Sequence, residues 1–511
     1  APAMQKAWSA SGFKAPREIL DVEEVTATEP YSGRYGPVSK LVDGESRSSY
    51  NSVKWAAGVG PTITFELPRE AEISSVIIRE WRMFDDWRIG ERTLQLSSDG
   101  FEDDVRTVED DFEFTGTQEW GSNVNSLYTV EVGQKAKQLR LKLEPEGPDK
   151  EVYVADIEIR GISFGKPPKV TALAVGDLTG DGEREIVVGS EGGEIRAFGA
   201  DGSELWGLQI PARRPILDMT CADVDGDGRD EIIYGGLAAR IGLVSADGEE
   251  LWFDNPPKYR GIASDIQTVL AADVTGDGLP EIICGADSWQ YFAYDRNGNM
   301  LWKNIIYAHS ATVGHADDFD GDGKAEIVGG NEYYRANLID DDGSRIWRYG
   351  RFGPEQTAAS SADLNGDGVP EILLGTDDGD LLAFDTSPAQ MWKVNLGDRV
   401  TRVIPVDLNG EGETELACAA ESANVYLLAA DGSTIWRTQL HDGVSDMVLD
   451  DTGDELILLA AAGASGVAAI DMEGGVRSVA DVSGRARQVA VAAGRIAVTT
   501  DQGTVEVFEL R

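Results

Sequence analysis

Six nine-residue segments carry most of the chemistry that residue type and spacing specify in this chain. They are DLTGDGERE (Asp177–Glu185), DVDGDGRDE (Asp223–Glu231), DVTGDGLPE (Asp273–Glu281), DFDGDGKAE (Asp318–Glu326), DLNGDGVPE (Asp363–Glu371) and DLNGEGETE (Asp407–Glu415). Each puts oxygen-bearing side chains at positions 1, 3, 5 and 9, a backbone carbonyl at position 7, and glycines at 4 and 6. Hard oxygen donors on a tightly turning loop suit Ca²⁺. The expected side-chain ligands are Asp177, Thr179, Asp181 and Glu185; Asp223, Asp225, Asp227 and Glu231; Asp273, Thr275, Asp277 and Glu281; Asp318, Asp320, Asp322 and Glu326; Asp363, Asn365, Asp367 and Glu371; and Asp407, Asn409, Glu411 and Glu415. Left unfilled, carboxylates packed this closely resist ionisation together. Several structural Ca²⁺ ions are therefore the expected cofactors.

The elements that must position these loops recur with them. The loops start 46, 50, 45, 45 and 44 residues apart, the length of one four-stranded propeller blade. Each lies between two apolar strands, and each repeat closes on a strand containing Leu205-Trp206, Leu251-Trp252, Leu301-Trp302, Ile346-Trp347, Met391-Trp392 or Ile435-Trp436. Asp-Gly or Asn-Gly precedes most of these strands, as tight hairpins need. Six tryptophans in one register predict a ring of packing side chains between blades. A seventh repeat spans roughly 441–479, with its loop shrunk to Asp450–Glu455, too short to close around a cation. Residues 487–510 supply three further strands, so an eighth blade is expected, finished by residues near 161–166; seven blades are the alternative. Cys284 and Cys418 fall at one repeat position and read as small core residues, and no disulfide framework is expected. The loops resemble the calcium loops of the FG-GAP and VCBS repeat families, which include integrin-type propellers and several polysaccharide lyases. That likeness covers about two-thirds of the chain and implies architecture rather than activity.

Residues 38–164 have a different texture: Ile63, Phe65 and Leu67 alternate with polar residues, as do the stretches 73–78, 94–96, 139–143 and 153–159. This is half-buried antiparallel strand. The expected organisation is an extension at 1–37, a β-sandwich at 38–164, a Gly-Lys-Pro-Pro linker, and an all-β propeller at 169–511. LVDGESRSSY (Leu41–Tyr50), PTITFELPREAEISSVII (Pro61–Ile78), TLQLSSDG (Thr93–Gly100) and VADIEIRGI (Val154–Ile162) resemble the discoidin or galactose-binding-like fold. The resemblance implies carbohydrate binding and a structural Ca²⁺, to which Asp43 and Glu158 would contribute. Trp81, Phe84, Trp87 and Arg88 offer surfaces for sugar stacking or for packing between domains.

With 90 acidic and 45 basic residues the formal charge is -45, which disfavours nucleic acid and anionic membranes. No stretch reads as a transmembrane helix. The start Ala-Pro-Ala is compatible with a processed end, so a secreted or periplasmic location is expected.

In an up-and-down blade the acidic A–B loops share a rim with the C–D turns, leaving the B–C turns and D–A crossovers on the other. That second rim collects Arg213, Arg214, Lys258, Tyr259, Arg260, Tyr307, His309, Arg348, Arg351 and His441 from crossovers, and Arg240, Trp289, Tyr291 and Glu332–Arg335 from turns. It is expected not to be acidic. His315 lies on an innermost strand and is expected to face the central channel.

Arginine holds carboxylates bidentately, and tyrosine and histidine move protons. Together they predict β-elimination on an acidic polysaccharide. Arginine would neutralise the uronate carboxylate, a histidine would take the C5 proton, and a tyrosine would protonate the leaving O4. The expected catalytic set is His315 (base), His309, Tyr333, Tyr334 and Arg335; the expected substrate-binding set is Arg240, Arg260, Tyr307, Trp289, Arg351 and Arg214. The arrangement is similar to propeller lyases acting on rhamnogalacturonan, ulvan or rhamnose–glucuronate linkages, although no family motif carries over residue by residue. The alternatives are a non-catalytic secreted glycan-binding or adhesion protein, and a glycosidase, for which Asp287 and Glu332 are the rim carboxylates. A quinone-dependent dehydrogenase would also use repeated tryptophans, but packing already accounts for those.

Overall fold

The computed structural model of the protein describes residues 4–13, 18–20, 22–28, 38–42, 53–81, 89–108, 111–120, 123–163, 168–211, 214–237, 239–307, 309–350, 353–408, 414–453 and 455–510. The chain divides into two compact units, one made of 1–14 and 167–511, the other of 15–166.

The first unit is an eight-bladed β-propeller. Blade 1 is Val170–Gly176, Glu185–Ser190, Glu194–Phe198 and Glu204–Gln209, antiparallel in that order. Blades 2 to 7 repeat the pattern, starting at Ile216, Ile266, Ala311, Gln356, Val400 and Asp446. Blade 8 takes Ala486–Ala492, Arg495–Thr500 and Val505–Leu510 from the C-terminal end and its outermost strand, Met4–Ala10, from the other. Innermost strands of successive blades touch all the way round, blade 8 meeting blade 1.

The closing strand corrects the expectation that residues near 161–166 would finish this blade. Val152–Ser163 instead pairs with Thr62–Trp81 in the other unit. Met4–Ala10 pairs with Val505–Leu510, and Lys6 reaches the buried Glu506 at 2.6 Å. Residues 1–14 are thus part of the propeller, and the second unit is inserted between blade 8 and blade 1 in chain order.

The tryptophans latch each blade to the next. The indole N–H of Trp206 donates to Ala246 O at 2.8 Å, Trp252 to Arg296 O at 2.9 Å, Trp302 to Asp341 O at 2.7 Å, Trp347 to Thr386 O at 3.0 Å, Trp392 to Ala430 O at 2.9 Å and Trp436 to Met472 O at 2.8 Å. Every acceptor lies in the C–D turn of the following blade. Trp8, on the closing strand, donates to Ala200 O at 2.9 Å and latches blade 8 to blade 1. Blade 7 ends on Val476–Ala480 without a tryptophan. Blade 8 has no C–D turn to receive one, because its outer two strands come from opposite ends of the chain.

The core lies in the interfaces between neighbouring blades, as in the cluster joining Ile186, Val188 and Phe198 of blade 1 to Ala497, Val505 and Val507 of blade 8. Cys284 and Cys418 are buried free thiols at one repeat position.

In the second unit, two long strands, Thr62–Trp81 and Asn123–Pro145, pair along most of their length and carry the shorter strands. The alternating residues Ile63, Phe65, Leu67, Leu94, Leu96, Leu139, Leu141 and Leu143 form its core. Among the described residues, no helix of the chain is long and apolar enough to cross a membrane.

Candidate functional site

The acidic loops share one architecture. The position-1 aspartate is its hub: Asp177 Oδ1 accepts from Gly180 N at 2.7 Å and Asp181 N at 3.2 Å, while Oδ2 accepts from Gly182 N at 2.8 Å. Asp223, Asp273 and Asp318 accept the same three N–H groups, and Asp363 the two glycine ones. Glycines 4 and 6 adopt left-handed φ, 74° and 86° in the first loop, which side chains with a Cβ seldom tolerate. The position-9 glutamate sits beneath: Glu185, Glu231, Glu281, Glu326 and Glu371 are all buried, each accepting at Oε2 from the backbone N–H of position 2.

This geometry fits a cation. Carboxylate oxygens of Asp223, Asp225 and Glu231 lie within 4.8 Å of one another, as do those of Asp318, Asp320 and Glu326. Glu326 Oε1 is buried without a hydrogen-bond partner. Burial and the charges of the neighbouring aspartates push Glu231 and Glu326 up to about 7, against the N–H bond each accepts, and the same causes raise Glu185, Glu281 and Glu371. The position-5 residues Asp227 and Asp322 stand outside the two close groups and accept the N–H of Arg229 and Lys324. In the sixth loop Asn409 and Glu411 lie outside the described residues, and Glu415 Oε2 accepts from Leu408 N at 3.3 Å. In blade 7, Asp450 closes the shortened loop on Thr452.

On the opposite rim an arc of rings and guanidinium groups forms at blades 3 and 4. Trp289, in the B–C turn of blade 3, meets Tyr259 at 5.9 Å and Tyr307 at 5.5 Å between ring centroids. The Arg260 guanidinium lies 5.0 Å from the Tyr307 ring and 5.9 Å from Trp289. Arg335 lies 5.4 Å from Tyr307 and 4.6 Å from Tyr334, and donates to the Tyr307 carbonyl. Tyr333 stands at right angles to Tyr334, 4.9 Å away, and His309 lies 5.1 Å from Tyr333. Tyr307 and Tyr333 are exposed.

The backbone under this arc is strained. Among the described residues, eight non-glycine positions have positive φ, and four are Arg260 (53°), Trp289 (65°), Tyr307 (29°) and His309 (102°). The corresponding B–C turn positions hold Gly193 in blade 1 and Gly379 in blade 5, closed by the same turn hydrogen bond as Trp289. Bulky residues held at such φ cluster at functional sites.

Other expected site residues are placed elsewhere. His315 is four residues along its strand from Ala311, about 13 Å of rise from the rim. Its Nε2 is 2.8 Å from Ser361 Oγ, which donates to Asp317 at 2.5 Å; burial lowers its basicity, opposed by Asp317. Arg240 is spent inside blade 2: it donates to Tyr234 Oη at 2.7 Å, pairs with Glu250 at 2.6 Å and stacks on Phe253. Tyr291 is buried and donates to Val313 O and Gly330 O. Arg348 donates to Asn337 Oδ1. Arg214 lies on the crossover into blade 2, His441 is exposed on the crossover into blade 7, and Arg213 and Arg351 lie outside the described residues.

The expectation of a non-acidic rim is corrected. Where innermost strands begin and second strands end, backbone N–H···O bonds join Asp287 to Asp265, Asp377 to Glu355, Glu332 to Ser310 and Glu421 to Arg399. Arg399 also pairs with Asp377 at 2.5 Å and Glu355 at 3.3 Å. Burial, then the charge of Asp265, raise Asp287; bonds from Ser310 and Gln267 oppose this, and Glu332 adds to it. Apart from Asp377, which is followed by Asp378, these acids occur singly in sequence, and only repeat alignment would have grouped them.

In the second unit, Asp43, Phe84, Trp87 and Arg88 lie outside the described residues, and nothing is described of the Trp81 side chain. Glu158 pairs with Arg79 at 2.7 Å and with Arg160; burial would raise it, but the two arginines hold it low, so it is committed to ion pairs.

Fold and geometry together define a β-propeller with one acidic-loop rim and one aromatic, arginine-bearing rim. No protein-family model and no curated protein sequence matches the chain. Solved structures do: the computationally designed Ika8 protein (TM-score 0.53, 14% identity, 68% of this chain and 98% of that one), Sqt1 from Saccharomyces cerevisiae (0.56, 11%, 67% and 96%) and the Dos1 propeller (0.50, 11%, 68% and 95%). At these identities the likeness concerns the fold alone.

Proposed function

We propose that the arc at blades 3 and 4 binds a uronate-containing glycan and cleaves it by β-elimination. The observation that carries this reading is the convergence of His309, Tyr333, Arg335, Arg260 and Trp289 around Tyr307, with Arg260, Trp289, Tyr307 and His309 held at positive φ. Rings platform the sugar, and the two guanidinium groups beside Tyr307 take the C6 carboxylate, acidifying the C5–H bond. His309 takes the C5 proton, the electron pair forms the C4–C5 double bond, the C4–O4 bond breaks, and the Tyr333 hydroxyl protonates O4. The base is His309 rather than His315, whose Nε2 faces Ser361.

In this reading the acidic loops hold Ca²⁺ that stiffens the opposite rim. Millimolar-range affinity, roughly that of extracellular modules, suits a secreted protein. Unit 15–166 serves as the galactose-binding-like sugar module that its sequence resembles.

His309→Ala and Tyr333→Phe should each lower the rate of unsaturated-uronate formation, followed near 235 nm, by about 100-fold or more. His315→Ala should leave it within a few-fold. No such absorbance on rhamnogalacturonan, ulvan or glucuronate-bearing glycans would sink the lyase reading. New reducing ends without the chromophore would favour a glycosidase, a second reading supported by the raised Asp287 beside Glu332. Binding without cleavage would leave an adhesion or carbohydrate-binding protein.

Trp289→Gly separates function from stability. Relief of a left-handed backbone is worth about 1–2 kcal/mol and offsets the lost ring contacts. The melting temperature should therefore hold while glycan affinity falls about tenfold. A large drop in melting temperature with unchanged affinity would show that the indole serves packing.

A further inference from the structure

On the acidic-loop rim, a cavity of about 550 Å³ opens between blades 2 and 3. Its walls bring together groups from three strands and two turns. Asp225 and Glu231 belong to the second acidic loop, Leu251 and Trp252 to the outermost strand of blade 2, and Arg296 and Asn297 to the C–D turn of blade 3.

Their environments differ in a way that suits a ligand. Glu231 is 4% exposed and gives only Oε2 to the loop backbone, at 3.3 Å from Val224 N. Asp225 is exposed at the cavity mouth, with carboxylate oxygens of Asp223, Asp225 and Glu231 within 4.8 Å of one another. Trp252 is held by its N–H···O bond to Arg296, so its ring is fixed as a wall, and Leu251 is 52% exposed beside it. The Arg296 side chain is exposed at the same edge. The other loop with acids at positions 1, 3, 5 and 9 is that of blade 4, where the adjoining Trp347 is buried and Lys324 pairs with Asp341.

We propose that this groove is a second uronate subsite, the sugar ring lying against Trp252 and its carboxylate held by Arg296 and the cation of the Asp223–Glu231 loop. A flat, partly apolar ring with one carboxylate matches the cavity: an aromatic wall, a guanidinium at one edge and a divalent cation at the floor. A neutral sugar would leave Arg296 and the cation unmatched, and a bare inorganic anion would leave the apolar wall uncovered. The inference rests on the uronate reading of the opposite rim, and it adds an attachment point for an acidic chain away from the reacting bond.

Binding of D-glucuronate, with D-glucose as the neutral control, tests it by saturation-transfer NMR on the full chain with and without Ca²⁺. Two variants address the groove without touching the arc. Arg296→Ala removes the exposed guanidinium, and Asp225→Lys puts an ammonium where one cation would sit while leaving the other loops unaltered; melting curves verify that both fold. The subsite predicts a Ca²⁺-dependent component of the glucuronate signal that Arg296→Ala and Asp225→Lys each weaken about tenfold, the signal that remains being that of the arc. Glucuronate signal unaltered by both groove variants, or equal for glucose, overturns the subsite. In that case loss of the signal in Arg335→Ala would leave the arc reading standing. Conversely, groove binding without any lyase activity would sink the arc chemistry and keep the subsite.

Discussion

A chain that starts at Lys169 will fail to close its propeller, whereas a chain lacking only residues 15–166 will keep it closed. The first loses Met4–Ala10, the outermost strand of blade 8, and with it the Trp8 latch to Ala200 and the Lys6–Glu506 pair. Large-to-small truncation of a packed tryptophan alone costs about 3 kcal/mol, and here the whole strand goes. Val505–Leu510 would become an unpaired edge presenting Val505, Val507 and Phe508, a template for pairing with another copy. The second chain keeps every blade strand. Phe13 and Val170 share one core cluster, so a short Gly-Ser link can join 14 to 167. Size-exclusion chromatography and thermal melting should show self-association and early unfolding for the first chain, and a monomer with a single high transition for the second. A stable, monomeric 169–511 chain would refute the closing role of the first strand.

The second large effect is a reversal in the pH dependence of stability on adding Ca²⁺. In metal-free protein Glu231 and Glu326 titrate at about 7, above their unfolded value near 4.5. Between these values the folded state binds more protons than the unfolded state, so stability falls as pH rises from about 4.5 to 7. Glu185, Glu281 and Glu371 shift in the same direction; His315, lowered by burial, opposes them. A tenfold change in proton affinity corresponds to about 1.4 kcal/mol, so the loops together contribute a few kcal/mol. Bound Ca²⁺ holds the same carboxylates ionised and depresses their folded values. Stability is then present above the unfolded value and lost as pH falls. Melting temperatures at pH 5 and 7.5 should decrease with pH in chelator and increase with pH in excess Ca²⁺. Slopes of the same sign in both conditions would refute cation binding by these loops.

Six blades were legible because each of those repeats advertises itself twice, in the acidic loop and in the tryptophan strand; the seventh repeat and residues 487–510 lack both signals, which is why seven blades stood as the alternative to eight. The seventh latch has a local signature too, since Ala7-Trp8 repeats the closing-strand pattern. Nothing nearby ties it to the repeats, because it stands 169 residues before the first acidic loop, across the inserted unit, from Trp8 to Asp177. The arc was partly legible: turn and crossover assignment alone placed Tyr307, His309, Trp289 and Tyr333–Arg335 on one rim. It could not tell that Arg240 would turn inward to Glu250, or that His315 would bond Ser361 from the next blade.

Local pattern therefore determined the repeat, the tight acidic turns and the rim on which each turn would lie, because strand alternation, glycine positions and acid spacing act over a few residues. Only the tertiary structure decided how the ring closes, which arginines remain available and which acids stand together at the mouth. Those outcomes depend on pairings between residues tens to hundreds of positions apart, which no local spacing encodes.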